Sequence, residues 1–477
     1  MRWYGKKGMS ALIVFCMSAL MTFFAVTQPE MTGSEKKGLF GNRYDESLIL
    51  WYADEALTDY LTSQAVAYQE KNHVKIEPVL VSGLEYLEQM KDASVKEENM
   101  PDLCITNNGT LEKAYLSGLA SQVTDEEGIL NTEHFPAAAL NAVKWHDKNV
   151  AYPLSYETAF LLFNKTYMKD LAREQIQAEA DAAEGEAAQA EADAAEDEGM
   201  PEDEMPEDTS ESDGSREIAE EEILSRMSDS VPATIDDILT FADEYNAPEN
   251  VESVFKWDVS DIFYNYFFVG NYLSVGGDAG DQEEEMDIYN EDVLNCLRVY
   301  QELNQFFSID PKEVSYESIV NEFLEGKTVF TIATTDVFEK LAMAQAEGTF
   351  PYEYGVAALP DVSTELASRG CSVTNCVAVN GYSQKKQEAN EFASYLVTDG
   401  ALNLYSLSGK MASRYGIDYE EAEIGNAMLE YEKSVPVPKL MSAQNFWVKL
   451  EIVFTKVWAG ENAEQELKKL AKSHKEN

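Results

Sequence analysis

The chain has 477 residues, of which 45% are hydrophobic and 11% aromatic, enough to bury a sizeable core and to build more than one domain. Its 36 Lys and Arg stand against 87 Asp and Glu, a formal net charge of -51. So acidic a surface repels phosphate backbones, which argues against nucleic acid as a partner and reads as solubility.

Residues 1–26 read as a targeting segment. Arg2, Lys6 and Lys7 precede an uncharged apolar run over 10–26, which suits a signal peptide or a signal anchor that puts the rest of the chain outside the membrane. Cys16 lies inside that run behind Phe15, a poor context for lipidation, and no clean small-residue cleavage site follows. A cleaved signal and a retained membrane anchor both fit. Residues 27–44 read as a polar linker.

A short apolar run at 48–52 predicts a strand buried on both faces. An amphipathic stretch over 57–71 predicts a helix, and 74–81 a second strand, so the sheet begins parallel. A third strand is expected at 103–106, introduced by Pro101 and Asp102. From 174 to 222 the composition turns acidic and almost free of bases and aromatics. It predicts a disordered insertion, with transient helix in its Ala/Glu-rich first half. Order resumes at 231, where Thr234 and Asp237 have capping-box spacing for a helix running to 245. The aromatic stretch 257–272 favours core packing. Helices are predicted at 291–306, 315–325 and 384–397, strands at 328–333, 354–358 and 373–379, and helix from 443 to the end.

Chemistry is sparse. His73, His134, His146 and His474 lack metal-ligand spacing, and there is no Cys-x-x-Cys or Gly-x-Ser-x-Gly motif. The run LYSLSGK at 404–410 ends like a phosphate-binding loop but lacks its leading glycine. No catalytic centre, metal or cofactor is expected. Cys371 and Cys376 are close enough in sequence to pair, whereas Cys104 and Cys296 read as buried thiols.

A series of short motifs runs along the chain: LILWYADE at 48–55, Pro101-Asp102 with Gly118-Leu119, YPLSYETAFLLFNK at 152–165, VPATIDDIL at 231–239, FLEGKTVFTIA at 323–333, YGVAALP at 354–360, SQKKQEANEFASYLVTDGA at 383–401 and NFWVKLEIVFTKVWAG at 445–460. Taken in that order, they resemble the extracellular solute-binding proteins of ABC importers, the maltose-binding-like group. The resemblance implies an α/β, periplasmic-binding-protein-like fold, two lobes with a hinge and an interlobe cleft. It places an N-terminal lobe at 45–155 and 376–432 and a C-terminal lobe at 156–375 and 433–475. It implies capture of a small solute, with a carbohydrate as the expected ligand, and delivery to ABC permease subunits. A surface sensor or adhesin reusing the fold, or a carbohydrate-active enzyme, are the alternatives.

Ligands of open α/β sheets bind where loops converge at the carboxyl ends of strands. Sugars need rings for their C–H faces and carboxylates or amides for their hydroxyls. The candidates at such positions are Trp51, Tyr52 and Asp54; Asn107 and Asn108; Tyr264 and Tyr266; and Thr335 and Asp336. The resemblance adds Tyr156 and Glu157 at the first lobe crossing and Trp447 as a late stacking aromatic. Core packing competes for Trp51, Tyr52 and the 257–272 aromatics, a turn for the two asparagines, and a hinge ion pair for Glu157.

Overall fold

The computed structural model describes residues 47–97, 99–197 and 218–475. The targeting segment 1–26, the linker 27–44 and positions 198–217 of the acidic stretch lie outside them. Among the described residues no helix is long and apolar enough to cross a membrane.

Alternation of strand and helix opens the chain as expected: β1 (Ser47–Tyr52), α1 (Thr58–Asn72), β2 (Lys75–Leu80), α2 (Tyr86–Lys96), β3 (Leu103–Asn107), α3 (Leu111–Leu116) and α4 (Ala137–Ala142). A 13-residue strand, β4 (Tyr152–Asn164), follows. It leads into α5 (Lys165–Asp197), α6 (Glu220–Asp229), α7 (Ile235–Glu244) and β5 (Ser253–Phe255). Then come α8 (Glu291–Phe307), α9 (Tyr316–Leu324), β6 (Thr328–Thr334), α10 (Val337–Glu347), β7 (Tyr354–Ala357) and β8 (Cys371–Val379). The chain ends with α11 (Lys386–Val397), α12 (Leu404–Ser408), β9 (Met411–Ala412), α13 (Ala422–Lys433), β10 (Val435–Pro436), α14 (Gln444–Trp458) and α15 (Ala463–Lys475).

These ten strands form one sheet, ordered β2-β1-β3-β8-β4-β6-β5, with β7 and β9 also on β4 and β10 on β8; two short ribbons, Lys144–Trp145 with Lys148–Asn149 and Ser274–Val275 with Met286–Asp287, stand apart from it. The pairs β1/β2, β1/β3, β5/β6 and β8/β10 are parallel, and every pairing of β4 is antiparallel. β4 is shared by two arms of the sheet. Its first half pairs with β8 and β9, and its second half with β6 and β7. It is apolar on both sides because both faces are covered. Leu161 and Phe163 enter one apolar cluster, while Phe160 and Leu162 enter the other, as the two-residue pleat requires.

The predicted cap of α7 forms. Thr234 Oγ1 accepts from Asp237 N at 3.1 Å, and the Asp237 carboxylate accepts from Thr234 N at 2.8 Å. The single C-terminal helix expected from 443 is two helices, broken where Gly460 takes φ +94°.

Two expectations are corrected. The acidic stretch is helical over 174–197 as the continuation of α5, and 220–222 begin α6. Ala and Glu are strong helix formers, and the helix is nucleated by Tyr167, Met168, Ala172 and Ile176, which are buried against the body together with Ile223 and Met227 of α6. Arg226 of α6 clamps Glu179 through two bonds of 2.6 and 2.9 Å. The second correction concerns Cys371 and Cys376, which are free and buried, like Cys104 and Cys296. They lie on one strand, β8, so their Cα atoms are roughly 16 Å apart, beyond any disulfide.

Candidate functional site

Strand register locates the site. Asn107, the last residue of β3, is level with Asn375 of β8, which is level with Ser155 of β4. Thr334, the last residue of β6, is level with Ala159 of β4. β3 runs in the same direction as β4 and β6 in the opposite one, so the carboxyl ends of the two arms face each other across about 13 Å of β4. Tyr156, Glu157 and Thr158 occupy that interval. The register also shifts between Asn375 and Cys376, a bulge of the kind that re-aims side chains beside functional sites.

At the centre is a charged trio. Lys410 Nζ lies 2.9 Å from Asp54 Oδ2 and 3.6 Å from Glu157 Oε1. The other Asp54 oxygen accepts from Ala56 N at 3.1 Å, capping the turn that follows β1. Burial works against the Lys410 charge, but the bond to Asp54 and the field of both carboxylates outweigh it and hold its proton affinity above the ordinary lysine value. Beside the trio is a cavity of about 400 Å³ lined by Asp54, Glu85, Asn107, Lys113 and Asn375 among others. Two larger cavities are not lined by positions 155–159 of β4 or by the charged trio. One, of about 740 Å³, is between α1, α11 and the 124–127 turn; the other, of about 700 Å³, is between β7, α13 and the loop after α6. The smaller one is the candidate because the ends of β1 and β3, Asn375 of β8 and the Asp54 carboxylate of the charged trio coincide there.

The remaining candidates divide by face. Tyr52 is buried and donates to Thr58 Oγ1 at 3.1 Å, while its neighbour Trp51 packs against the opposite apolar cluster. Asn108 is fully buried and spends both polar ends on backbone: Oδ1 accepts from Thr374 N at 2.9 Å and Nδ2 donates to Val437 O at 2.6 Å. Tyr156 is buried, stacked on Tyr431 at 4.0 Å and 8°, and its carbonyl accepts from Thr335 Oγ1 at 3.4 Å. Tyr264 is half-buried and stacks on Tyr316 at 4.6 Å. Tyr316 in turn donates to Asp336 Oδ1 at 2.8 Å, and Lys340 pairs with Asp336 Oδ2 at 2.8 Å. Burial, then the field of Asp336, raises the proton affinity of both tyrosines, so they stay neutral donors.

Trp447 and Tyr266 form a pair of their own, with ring centroids 5.0 Å apart, against the cluster that also takes Trp51 and Tyr264. The Trp447 indole N–H is buried without a hydrogen-bond partner. An unpaired donor of this kind suits a group that arrives later.

The structure thus brings Asp54 together with Glu157 through Lys410, Asn107 with Asp54 on one cavity wall, Thr335 with Tyr156, and Asp336 with Tyr264 through Tyr316. Sequence reasoning passed over Lys410, Asn375 and Tyr316. The signal for Lys410 was present in the Ser-Gly-Lys that ends LYSLSGK. Gly409 closes α12 at φ +67°, and Lys410 then leads into β9, whose Met411 pairs with Tyr156. Among the described residues no group of three or more His, Cys, Asp or Glu is placed to hold a metal ion.

No protein-family model matches the chain, and no curated protein matches it in sequence. Solved structures do match in three dimensions. The extracellular solute-binding protein of Staphylococcus aureus in complex with maltose has a TM-score of 0.69 at 16% identity, over 91% of this chain and 97% of that one. A cyclo/maltodextrin-binding protein complexed with maltotetraose has 0.68 at 17%, over 93% and 98%. The maltose-binding periplasmic protein of Listeria monocytogenes in complex with maltose has 0.65 at 16%, over 91% and 97%. Two arms of one sheet facing each other across a shared strand, and a likeness spanning nine-tenths of the chain, lead to one conclusion: the chain has the periplasmic-binding-protein fold of the maltose-binding solute-binding proteins, two α/β lobes with a hinge and an interlobe cleft.

Proposed function

We propose that the chain is an extracytoplasmic solute-binding protein, held at or released from the membrane by residues 1–26, that captures a carbohydrate in the crevice over the middle of β4 and hands it to the permease of an ABC importer. Residues 45–155 and 376–432 are assigned to one lobe, and 156–375 with 433–475 to the other. The observation that carries the reading is the convergence of both sets of strand ends on positions 155–159, where Asp54, Glu157 and Lys410 meet. A sugar hydroxyl donates to a carboxylate and accepts from an ammonium or amide, and the site offers both. Trp447, Trp51 and Tyr264 supply rings for the C–H faces of the sugar. Closure follows from tighter binding by the closed state, not from chemistry on the solute.

Calorimetry and thermal-shift measurements with maltose, maltotetraose and a wider sugar panel test this. Asp54→Asn and Glu157→Gln are each expected to weaken binding of the responding sugar about tenfold or more, the worth of one charge-assisted hydrogen bond. Hydrolysis of a glycan at enzyme-like rates refutes a binding protein. The absence of any sugar response, together with capture of a protein partner, favours the sensor or adhesin instead.

A further inference from the structure

The crevice contains a charge arrangement that neither composition nor fold explains. Asp54 comes from the end of β1 and Glu157 from the middle of β4, yet both depend on one cation, Lys410. The other cations in the neighbourhood are committed elsewhere: Lys340 to Asp336 at 2.8 Å, and Lys113 to Glu88. The position of Lys410 is fixed by backbone rather than by a mobile loop. Gly409 precedes it in the left-handed region, its own N–H bonds Ser408 Oγ at 3.3 Å, and β9 begins at the next residue. The side chains of the two acids are about 40% exposed and that of the lysine 23%, so the acids are the more accessible members of the trio.

We infer that Lys410 is the charge filter of the crevice, the residue that offsets part of its negative charge and so shifts its preference from an amine-bearing solute toward an uncharged polyhydroxylated one. The inference rests on the carbohydrate-binding reading above. The ammonium lies 2.9 Å from Asp54 Oδ2, within hydrogen-bond distance, and 3.6 Å from Glu157 Oε1, an ion pair only. Its donors not spent on Asp54, and the free lone pairs of both carboxylates, match a pair of neighbouring hydroxyls, each of which donates once and accepts once. A solute amine offers donors only, so it must displace Lys410 from carboxylates that Lys410 already neutralises in part. A solute carboxylate meets a trio whose summed charge is still negative. Removing the Lys410 charge leaves two carboxylates without their counter-ion, and a ligand ammonium then takes its place.

The test compares binding of glucose, maltose and maltotetraose with binding of glucosamine and chitosan oligosaccharides, by calorimetry on the folded full chain. Wild type is expected to prefer the neutral sugars. In Lys410→Met the ratio of amine to neutral affinity is expected to rise about tenfold or more, and Lys410→Arg to keep the wild-type ratio. Glu157→Gln, which keeps the lysine and removes one acid, is expected to move the ratio the opposite way, so a Lys410→Met chain that does not fold leaves the test in place. A ratio unchanged in both Lys410→Met and Glu157→Gln, in a protein whose wild type binds neutral sugar, overturns the charge filter alone. Failure of wild type to bind any sugar of either kind overturns the carbohydrate reading and the filter with it.

Discussion

Replacing Lys439 by methionine isolates the energy of one buried charge. Lys439 is fully buried between β10 and α14. Its ammonium donates to the carbonyl of Asn141 in α4 at 2.9 Å and to the carbonyl of Ala279. Burial pulls its proton affinity down from 10.5 to about 8, against the opposing field of Asp281. The unfolded chain therefore binds this proton below about 10.5, and the native chain only below about 8. Stability present above the higher value is lost as pH falls toward the lower one. Between pH 9.5 and 7.5 the loss amounts to about 2 kcal/mol. Methionine keeps most of the apolar stem and cannot titrate. The two carbonyls it leaves unpaired add a cost of roughly 1–3 kcal/mol each that does not vary with pH. Urea unfolding of both proteins from pH 7.5 to 9.5, in constant salt, gives a difference from which the cysteines and tyrosines cancel. Wild type is expected to gain about 2 kcal/mol on the variant as pH rises across that window. A difference constant to within about 0.5 kcal/mol refutes the argument that burial lowers the proton affinity of Lys439 in the native state.

Gly355→Ala places a Cβ 2.1 Å from the Phe163 ring across the β7/β4 pair, so it is expected to cost roughly 3 kcal/mol in urea unfolding, with partial recovery when Phe163→Leu is added. Cys104, Cys296, Cys371 and Cys376 are free and buried, and burial raises the proton affinity of each thiol. Intact-mass analysis is expected to find these four cysteines unalkylated by iodoacetamide at pH 8 in the native protein and all four alkylated in urea without reductant. A disulfide-linked fraction in urea contradicts the strand geometry of β8.

Local signals were enough for most elements. The β1 strand announces itself as an apolar run, and α7 by a capping pair that forms as spelled. Residues 174–197 misled because their composition describes a solvated surface, whereas their conformation is inherited from the turn at Tyr167–Ile176 that docks on the body. Trp51 and Tyr52 show the same limit. Both end a strand, but alternation sends them to opposite faces, and Tyr52 closes on Thr58 within the core. Asn108 looked like a turn or a ligand contact and became a clasp between β3, β8 and the segment after β10.

By itself the sequence determined the alternation of strand and helix, the parallel opening of the sheet and the choice of strand ends as the place for Asp54, Asn107 and Thr335, because periodicity, caps and turn residues act over a few positions. The tertiary structure alone decided that Lys410 joins Asp54 to Glu157, that Asn375 stands level with Asn107, and that Cys371 and Cys376 stay apart. Those outcomes depend on strand register and on which segments lie beside β4, and register is set by burial summed over the whole sheet rather than by any one stretch of chain.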